Sequence, residues 1–534
     1  MQTLLSNKQA PLSHIALALA IALPVSQASA DAVTDWNLYT ALATKGATSI
    51  SNGLPSAALN SNVATRIAAI EARAVFDAVN AVNNFSATYY YSHPAPTASF
   101  TANSASAAAI AAAHDVLIAL QPAAATQAWV DSQRNADLAA LGLTTSDPGY
   151  SVGQAAAAAA LAARAADFAQ INTTYTPSTN ITATGGVNAT GNPGRGLWRP
   201  SNGGAGVTDP NTGAPSGFDA IGSGANVVPA AGINFNWKNV TPFSLSTLKK
   251  QQLVAAVPPS LKLDSAEYNA ELAFVQSHGQ EYSAPSSRTS DQLLQALYYK
   301  SDAELFVNEA ARIASIARGL TLNQNAKLFA LLDNALADAR IAAFQSKYDL
   351  VFWRPITALN ADASGAATAY TAWKPLATTP SHPSSTAGHS TTVAAGTEIL
   401  RSFFGTDNID PSAAPIALTT PTWIVGTNNG TGKLAPAIAA TLGGQDGTTR
   451  NVSTFSQLQL ENGQSRLYLG VHFGNDNYQG QTLGLSVADA IIGTHTDPAS
   501  VGVNIYTGGA SVASAPHLYN LLVSGSSNSG FYGL

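Results

Sequence analysis

Apolar residues recur at helical spacing through two long parts of this 534-residue chain. The first part, residues 31–170, is rich in alanine, a strong helix former whose small side chain lets helices pack closely, and it has periodic segments at 63–82, 105–120 and 154–169. The second part contains periodic segments at 245–257, 266–276, 290–299, 302–318 and 323–345. Each such helix must bury its apolar stripe against other helices. We therefore predict an all-α fold of two helical bundles.

Changes in composition divide the chain into further regions. Residues 171–236 are rich in Gly, Asn, Thr, Pro and Ser and show little periodicity. They predict a long surface loop or insertion between an N-terminal helical region, 31–170, and a C-terminal helical domain, 237–495. A second irregular stretch covers 405–452, a last helix is predicted from about 468 to 493, and 496–534 form a Gly/Ser-rich tail.

The first thirty residues have the features of a secretory leader. Lys8 begins a weakly basic lead, residues 15–25 form an apolar run too short to span a bilayer, and residues 28–30 read Ala-Ser-Ala. Such small residues are typical of a cleavage site. We expect a mature chain that starts near Asp31, carries no membrane span, and is secreted or periplasmic.

Composition excludes several classes of function. The formal net charge is −6, and only 10% of the residues are charged. A mildly acidic, sparsely charged surface argues against a nucleic-acid partner. The chain has no cysteine, so disulfides, a cysteine nucleophile and a thiolate metal site are excluded.

Cationic and histidine side chains concentrate in three short segments of this weakly charged chain. The segments read KYDLVFWRP at 347–355, PSHPSSTAGH at 380–389 and SRLYLGVHFGND at 465–476. A tetrahedral phosphate or vanadate needs positive charge on several oxygens, which Arg supplies as a planar fork and Lys as a point charge. The sequence therefore predicts an oxyanion site. Its cationic side chains would be Lys347, Arg354 and Arg466.

Spacing within the first two segments suggests how they present these groups. Lys347 and Arg354 are seven residues apart, which places them about 20° apart on a helix. We therefore predict that one helix carries both, with a break just after it at Pro355. Gly388 and His389 precede an apolar-periodic run, so they should begin a helix whose free N–H groups favour an anion.

Spacing in the third segment separates two roles. Arg466 and His472 are six apart, about 120° around a continuous helix, so they share a ligand only if Arg466 lies on a turn before it. Asp476 follows His472 by four residues and can orient its imidazole. We expect His472 to be a nucleophile or direct oxyanion ligand, and His389 to be a general acid/base that titrates near neutral pH.

The three segments resemble the signature shared by type-2 phosphatidic acid phosphatases and vanadium-dependent haloperoxidases. That signature is Lys, six residues, Arg-Pro; then Pro-Ser-Gly-His; then Ser-Arg, five residues, His, three residues, Asp. The first and third segments match at every defining position. The second departs, because Thr386-Ala387-Gly388-His389 stands where Pro-Ser-Gly-His is usual, so Ala387 replaces the Ser. The hydroxyl that would donate to the oxyanion is therefore missing, which should weaken oxyanion binding.

Other segments resemble the bacterial haloperoxidase-like branch of this superfamily. They are Asp35-Trp36-Asn37, residues 66–82, Gly196 to Pro200 and Trp237 to Phe243. His382 lies seven residues before His389, where the resemblance implies His in bromide-using and iodide-using members and an aromatic residue in chloride-using ones. We interpret His382 as a halide-selectivity residue. Trp198-Arg199-Pro200 echoes Trp353-Arg354-Pro355 without the preceding lysine, and we interpret it as structural or part of a lid.

The resemblance implies a secreted vanadate-dependent haloperoxidase. Vanadate would be bound by His472 and neutralised by Lys347, Arg354, Arg466 and the Gly388 N–H, with Asp476 supporting His472; phosphate could compete for the site or replace vanadate. Hydrogen peroxide would then oxidise bromide or iodide to hypohalous acid, which halogenates a small organic acceptor, with His389 assisting proton transfer.

Two alternatives use the same pocket. In the first, the protein is an acid phosphatase, in which His472 is phosphorylated and His389 protonates the leaving group. In the second, it binds oxyanions but turns them over poorly because of Ala387. Vanadate and phosphate share shape and charge, so the sequence leaves all three open.

Overall fold

A computed structural model describes a large part of the chain. The described residues are 30–45, 59–85, 87–93, 99–169, 175, 195–198, 232–281, 284–361, 373–377, 379–419, 449–493 and 497–500. The predicted leader apart from Ala30, most of the predicted loop 171–236 and most of the tail 496–534 lie outside them.

The described part of the chain is mainly helical, which confirms the predicted all-α fold. The N-terminal helices are α1 (Ala32–Lys45), α2 (Ser61–Val82), α3 (Ser104–Leu120), α4 (Ala124–Ala140) and α5 (Pro148–Ala163). The C-terminal helices are α6 (Thr247–Ala255), α7 (Ala266–His278), α8 (Ser290–Tyr298), α9 (Ala303–Ala317), α10 (Leu322–Leu350), α11 (Pro355–Asn360), α12 (Gly388–Phe404), α13 (Phe455–Tyr468) and α14 (Gly474–Ile492). Short 3-10 helices cover Phe235–Asn239 and Pro498–Ser500.

A small antiparallel sheet joins the two ends of the second irregular stretch. Its strands are β1 (Ile416–Thr419) and β2 (Thr449–Val452), and the register pairs Ile416 with Val452 and Thr419 with Thr449. The sheet lies next to α8, α9 and α13.

Helix α10 joins the two groups of helices. In the N-terminal group α2, α3 and α5 pack against one another, and in the C-terminal group α12 packs against α13 and α14. Helix α10 contacts both α2 and α12. Its apolar residues are buried together with those of both groups in one large core. The functional segments at the end of α10, the start of α12 and the start of α14 thus belong to neighbouring helices.

Helix boundaries follow local chemistry that periodicity alone does not reveal. Helix α5 begins at Pro148, not near the predicted 154, because the Asp147 side chain accepts the Gly149 N–H and Pro148 occupies the first turn. Helix α10 starts in a capping box, in which Thr321 and Gln324 each accept a backbone N–H of the other. It ends at Leu350, before the break predicted at Pro355.

Glycines bring the backbones of α12 and α14 into direct contact. A Cβ built on Gly480 would lie 2.6 Å from the carbonyl oxygen of Ala387, and one built on Gly484 would lie still closer to that of Thr391. Real Cβ atoms do not approach a backbone oxygen so closely. The helices can pack this tightly only because these positions lack a side chain.

We therefore expect Gly484→Ala to lower the free energy of unfolding by about 1–3 kcal/mol, because the added methyl group must push two helix backbones apart. Denaturant unfolding followed by circular dichroism measures the change. Gly388→Ala is the matched control for stability, because its Cβ would make only ordinary contacts, the nearest at 3.7 Å. Equal stability of the two variants would contradict the close packing.

Within the described ranges, the search for a helix long and apolar enough to cross a bilayer finds none.

Candidate active site

Lys347 lies in the last turn of α10, but Arg354 does not lie on that helix. Val351 has a left-handed backbone conformation, φ 49°, which ends α10. Arg354 is extended, with φ −90° and ψ 156°, and directly precedes α11, whose first residue is Pro355. The prediction that one helix carries both cations is therefore wrong. A proline fits the first turn of a new helix, so Pro355 opens α11 after α10 has already ended.

Residues 196–198 hydrogen-bond to the chain between α10 and α11. The Trp198 N–H donates to the Val351 carbonyl (2.7 Å), and the Trp353 N–H donates to that of Gly196 (2.9 Å). Trp198 is buried. These contacts agree with a structural role for the Gly-Leu-Trp segment, whose Arg199 and Pro200 lie outside the described residues.

Lys347 is completely buried and points toward the second segment. Its Nζ donates to the carbonyl oxygens of Pro383 (2.9 Å) and Ser384 (3.0 Å). Burial lowers the pKa of Lys347 well below its usual value, and the charge of Arg354 acts in the same direction, whereas Asp476 opposes both. A bound anion would therefore favour the charged form of the ammonium group strongly.

Arg354 links the first segment to the other two. Its Nε donates to the His382 carbonyl (3.0 Å), and its Nη1 donates to the Val471 carbonyl (2.6 Å). Nη1 also lies 3.0 Å from His472 Nε2, and Nη2 lies 3.0 Å from His382 Nδ1. A guanidinium can only donate, so both imidazole nitrogens accept.

His472 lies in the turn between α13 and α14, with Asp476 in the first turn of α14. The predicted single helix from about residue 468 to 493 is therefore wrong. Gly470, with φ 76°, reverses the chain just after α13. Arg466 lies in the last turn of α13. The spacing argument placed Arg466 on a turn before a helix that carries His472; the structure has the reverse order, because Arg466 ends one helix and His472 lies in the turn that follows.

Asp476 fixes the tautomer of His472. Its Oδ2 lies 3.1 Å from His472 Nδ1, and a carboxylate that accepts there leaves the proton on Nδ1 and a lone pair on Nε2. Burial lowers the pKa of His472 well below its usual value, and the charges of Arg354 and Lys347 add to the shift. His472 is thus a neutral imidazole whose Nε2 lone pair accepts from Arg354 Nη1, and Nε2 can act as a ligand or nucleophile only when that donor turns to the anion instead.

Ser384 and Ser385 also serve Asp476. The Ser384 hydroxyl donates to Oδ2, and the Ser385 hydroxyl donates to Oδ1 at 2.6 Å. Burial raises the pKa of Asp476, while these two hydrogen bonds lower it. Each hydroxyl has only one proton to donate, and it donates that proton in its hydrogen bond to the carboxylate. Neither serine is therefore placed to replace the donor that is missing at Ala387.

Helix α12 begins at Gly388, as the sequence predicts, and its N-terminus has no side-chain cap. Ala387 occupies the N-cap position and makes no side-chain hydrogen bond. Its own N–H donates to the Asp476 carbonyl (2.9 Å), which ties the start of α12 to α14. An uncapped N-terminus presents N–H groups and positive potential to an anion.

Arg466 has donors without protein partners in the described part of the chain. Its Nη1 makes one long contact, 3.4 Å, to the Tyr299 carbonyl, and its buried Nε has no hydrogen-bond partner. Burial lowers the pKa of Arg466 to about 9, and the charge of Arg354 contributes. A buried guanidinium with orphaned donors is costly, and an oxyanion would relieve that cost.

His389 is held at the start of α12 by the chain before α9. Its Nε2 lies 2.6 Å from the Ser301 carbonyl, which can only accept, so Nε2 carries the proton and Nδ1 the lone pair. Burial lowers the pKa of His389 well below its usual value, and Arg466 and Arg340 add to the shift. The expectation that His389 titrates near neutral pH is therefore wrong for this arrangement, because sequence does not show its cationic neighbours.

His382 lies beside Arg354 and packs edge-on against Phe344, with ring centroids 5.1 Å apart. Burial lowers the pKa of His382 well below its usual value, and Lys347 and Arg354 contribute. The structure thus places a neutral imidazole next to the cationic cluster. It does not test the predicted role in halide selectivity.

Sequence reasoning missed one cation of this cluster, Arg340. It lies on α10 two helical turns before Lys347, is 6% exposed, and pairs with Glu304 through Nη2 at 2.8 Å. Its charge is among those that lower the pKa of Lys347 and Arg466. The seven-residue spacing used for Lys347 and Arg354 would have found it if applied toward the N-terminus.

The cluster fits a tetrahedral oxyanion such as phosphate or vanadate. It combines the neutral Nε2 of His472, the orphaned Nε of Arg466, the ammonium of Lys347 and the uncapped start of α12. In the described ranges, no three His, Asp or Glu side chains come together as a cation site. Excess positive charge favours an anion over a metal cation.

A protein-family model matches the C-terminal part of the chain. Residues 327–500, which include all three segments, match a family model described as the VCPO second helical-bundle domain. A search of curated protein sequences found no significant match.

Comparison with solved structures gives several bacterial proteins of similar fold. A bacterial vanadium-dependent iodoperoxidase aligns with a TM-score of 0.59 at 18% identity, over 86% of this chain and 94% of that one. The holo form of a bacterial vanadium-dependent chloroperoxidase aligns with a TM-score of 0.55 at 16% identity, over 83% and 93%. Its apo form gives 0.56 at 16%, over 81% and 94%. Residues 327–500 thus match the family model of a second helical-bundle domain, and the chain as a whole is similar in fold to these vanadium-dependent peroxidases.

Proposed function

We propose that the protein is a vanadate-dependent haloperoxidase that uses hydrogen peroxide to oxidise bromide or iodide to hypohalous acid. One observation carries the proposal: a neutral His472 has its Nε2 against the Arg354 guanidinium and within the field of the Lys347 and Arg466 charges. The fold is that of proteins named for vanadium-dependent iodide and chloride oxidation.

The residues of this chain would divide the work as follows. His472 Nε2 would ligate vanadate, and Lys347, Arg354, Arg466 and the Gly388 N–H would neutralise its oxygens. When bound, vanadate supplies a Lewis acid that activates peroxide toward halide without changing the oxidation state of the metal. Burial of the cations keeps their charge poorly screened by water, which strengthens their hold on the anion.

His389 would accept the proton that hydrogen peroxide loses. Since Nε2 donates to the Ser301 carbonyl, Nδ1 is the free base of the ring. Its lowered pKa keeps Nδ1 unprotonated at neutral pH, ready to accept a proton. This state suits the deprotonation of hydrogen peroxide. The product hypohalous acid would then halogenate a small organic acceptor.

The alternative is an acid phosphatase that forms a phosphohistidine on His472. The arrangement of Asp476 and His472 favours it as much as it favours vanadate binding, because a lone pair on Nε2 also makes a nucleophile. The state of His389 favours the phosphatase less than the haloperoxidase. A leaving group must receive a proton from His389, and the lowered pKa of His389 leaves that ring unprotonated.

A paired assay on the purified protein tests the proposal. Vanadate, peroxide and bromide or iodide are supplied with a halogen acceptor in one assay, and a chromogenic phosphate ester in the other. We expect halogenation that depends on added vanadate and is inhibited by phosphate. Ester cleavage without halogenation would establish the phosphatase instead, and binding of either anion without turnover would leave only an oxyanion-binding protein.

His382→Phe tests the proposed role in halide choice. We expect the ratio of kcat/KM for bromide to that for chloride to fall by about 10-fold, because an apolar ring replaces the imidazole that meets Arg354. His278→Phe is the control, since His278 stacks on Phe274 on α7 and has no contact with the cluster. An unchanged halide ranking in His382→Phe would remove the selectivity role.

We also propose that residues 1–30 direct export. N-terminal sequencing of protein recovered from the periplasm or medium tests this. A mature chain that starts near Asp31 is expected, and an intact Met1 on exported protein would contradict cleavage of the leader.

A further inference from the structure

Arg340 is a buried cation whose guanidinium reaches the same helix terminus as Lys347. A Cβ built on Gly388 would lie 3.9 Å from Arg340 Nη1 and 3.7 Å from Lys347 Cε. The two side chains therefore flank the start of α12. Both come from one face of α10, because seven residues make two helical turns.

Only part of the Arg340 guanidinium is used by the protein. Nη2 pairs with Glu304 Oε2 at 2.8 Å. Nε is buried and has no hydrogen-bond partner in the described part of the chain. Orphaned donors on a buried charge are rare and costly unless a ligand completes them.

The Arg340 guanidinium lies where the oxyanion site lacks a hydrogen-bond donor. Ala387 brings no hydroxyl, and the hydroxyls of Ser384 and Ser385 are committed to Asp476. The site thus lacks one donor at the start of α12. The Arg340 guanidinium reaches that point, and its Nε has no partner in the described residues. Thr386 is the competing source, since its hydroxyl is also buried and without a partner.

We propose that Arg340 is a further oxyanion-binding residue, which supplies at the start of α12 the donor that a hydroxyl at position 387 would otherwise supply. The inference rests on the proposed function only in requiring that the pocket binds a tetrahedral oxyanion. It holds equally for vanadate and for phosphate.

The rival explanation is that Arg340 only neutralises Glu304. Glu304 lies on α9 and is also approached by Lys45, whose Nζ is 3.7 Å from Oε1. Replacing one member of a buried ion pair leaves an uncompensated charge and can unfold the protein, whereas replacing both with apolar residues of similar volume is often tolerated. A variant that removes both Arg340 and Glu304 therefore separates anion binding from charge balance.

Calorimetric titration of the full chain with inorganic phosphate and with orthovanadate provides a readout independent of turnover. We expect the Arg340→Met/Glu304→Met variant to bind both anions about 10–100-fold more weakly, the effect of losing one charge-assisted hydrogen bond. Arg340→Lys, which keeps the charge, should lose less. Thr386→Val is the matched control and should bind like the wild type.

A rescue makes the assignment specific to position 387. Adding Ala387→Ser should restore at least about 10-fold of the affinity in the Arg340→Met/Glu304→Met background and improve the wild type by clearly less, because the new hydroxyl then duplicates Arg340. Should the double variant not fold, Arg340→Gln, which can still reach Glu304, takes its place in the same comparison.

The outcomes are distinguishable. A folded double variant that binds phosphate as tightly as the wild type overturns the role of Arg340 and leaves the proposed function intact. If Thr386→Val binds the anions more weakly and the Arg340→Met/Glu304→Met variant binds them as the wild type does, the donor is Thr386. That result also overturns the inference. A wild-type chain that binds neither anion overturns the proposed function together with it.

Discussion

His472→Ala is expected to lower vanadate-dependent halide oxidation by about 10³-fold or more in kcat/KM. The variant loses the neutral Nε2 that the proposal assigns as the vanadate ligand. His389 cannot substitute, because it is held against the Ser301 carbonyl at the start of α12. Steady-state kinetics at saturating vanadate, with bromide and iodide, measure the loss.

The same variant should still fold. His472 lies in a turn, and the neighbouring Phe473 N–H keeps its hydrogen bond to Asp476 (3.0 Å). Thermal unfolding should therefore shift only by a few degrees. His93→Ala, a partly buried histidine outside the cluster, is the matched control and should retain wild-type activity.

The pH dependence of the wild type distinguishes His472 from an ordinary histidine. Because burial and nearby cations lower its pKa, Nε2 should remain unprotonated as the pH falls through 6.5. Anion binding should consequently persist at pH 6. Activity in His472→Ala within 10-fold of the wild type, or loss of wild-type binding centred near pH 6.5, would contradict the proposed role.

Periodicity predicted the helices well where apolar stripes decide the outcome, and poorly where the backbone changes direction. The segments at 266–276, 290–299 and 302–318 differ from α7, α8 and α9 by one or two residues at their ends. The break after α10 was misplaced because Val351 adopts a left-handed conformation, which no residue preference predicts for a β-branched side chain.

The residues of the candidate site could be named from the sequence because each lies where a helix begins or ends. Gly388 starts α12, Lys347 lies near the end of α10, and Asp476 lies in the first turn of α14. Neighbouring helix termini bring such residues together in space. Residue type and order were enough to select them, although one expected shared helix does not exist.

Electrostatic state could not be predicted in the same way. The pKa of His389 depends on burial and on Arg466 and Arg340, which come from two other helices. The hydrogen bonds of Ser384 and Ser385 to Asp476 join segments about ninety residues apart in the chain. A reference pKa describes an isolated side chain, so it does not predict the protonation state of a histidine that is buried among several cations.

Asp476→Asn is expected to have the second-largest effect, a loss of about 10²–10⁴-fold in kcat/KM. Asp476 accepts from His472 Nδ1, which holds the lone pair on Nε2. An asparagine can present an N–H to Nδ1 instead. The imidazole would then carry its proton on Nε2, where it can neither ligate vanadate nor attack phosphate.

The imidazole tautomer reports this mechanism directly. Nitrogen NMR of the histidine rings should show the Nδ1–H form of His472 in the wild type and the Nε2–H form in Asp476→Asn. Ser385→Ala is the matched control, because it removes one hydrogen bond from Oδ1 and leaves the Oδ2 contact with His472 in place. We expect its activity to stay within about 10-fold of the wild type.

A purely structural role for Asp476 makes a different pair of predictions. Asp476 also anchors the start of α14 through the Phe473 N–H, so its loss could disturb the turn that carries His472. In that case activity would fall in step with thermal stability while the tautomer stayed Nδ1–H. Phe473 N–H and His472 Nδ1 share Oδ2, so an amide nitrogen that reverses the tautomer also gives up the Phe473 hydrogen bond. One lost hydrogen bond costs only about 0.5–1.5 kcal/mol, so we expect the opposite: a folded variant with the wrong tautomer and little turnover.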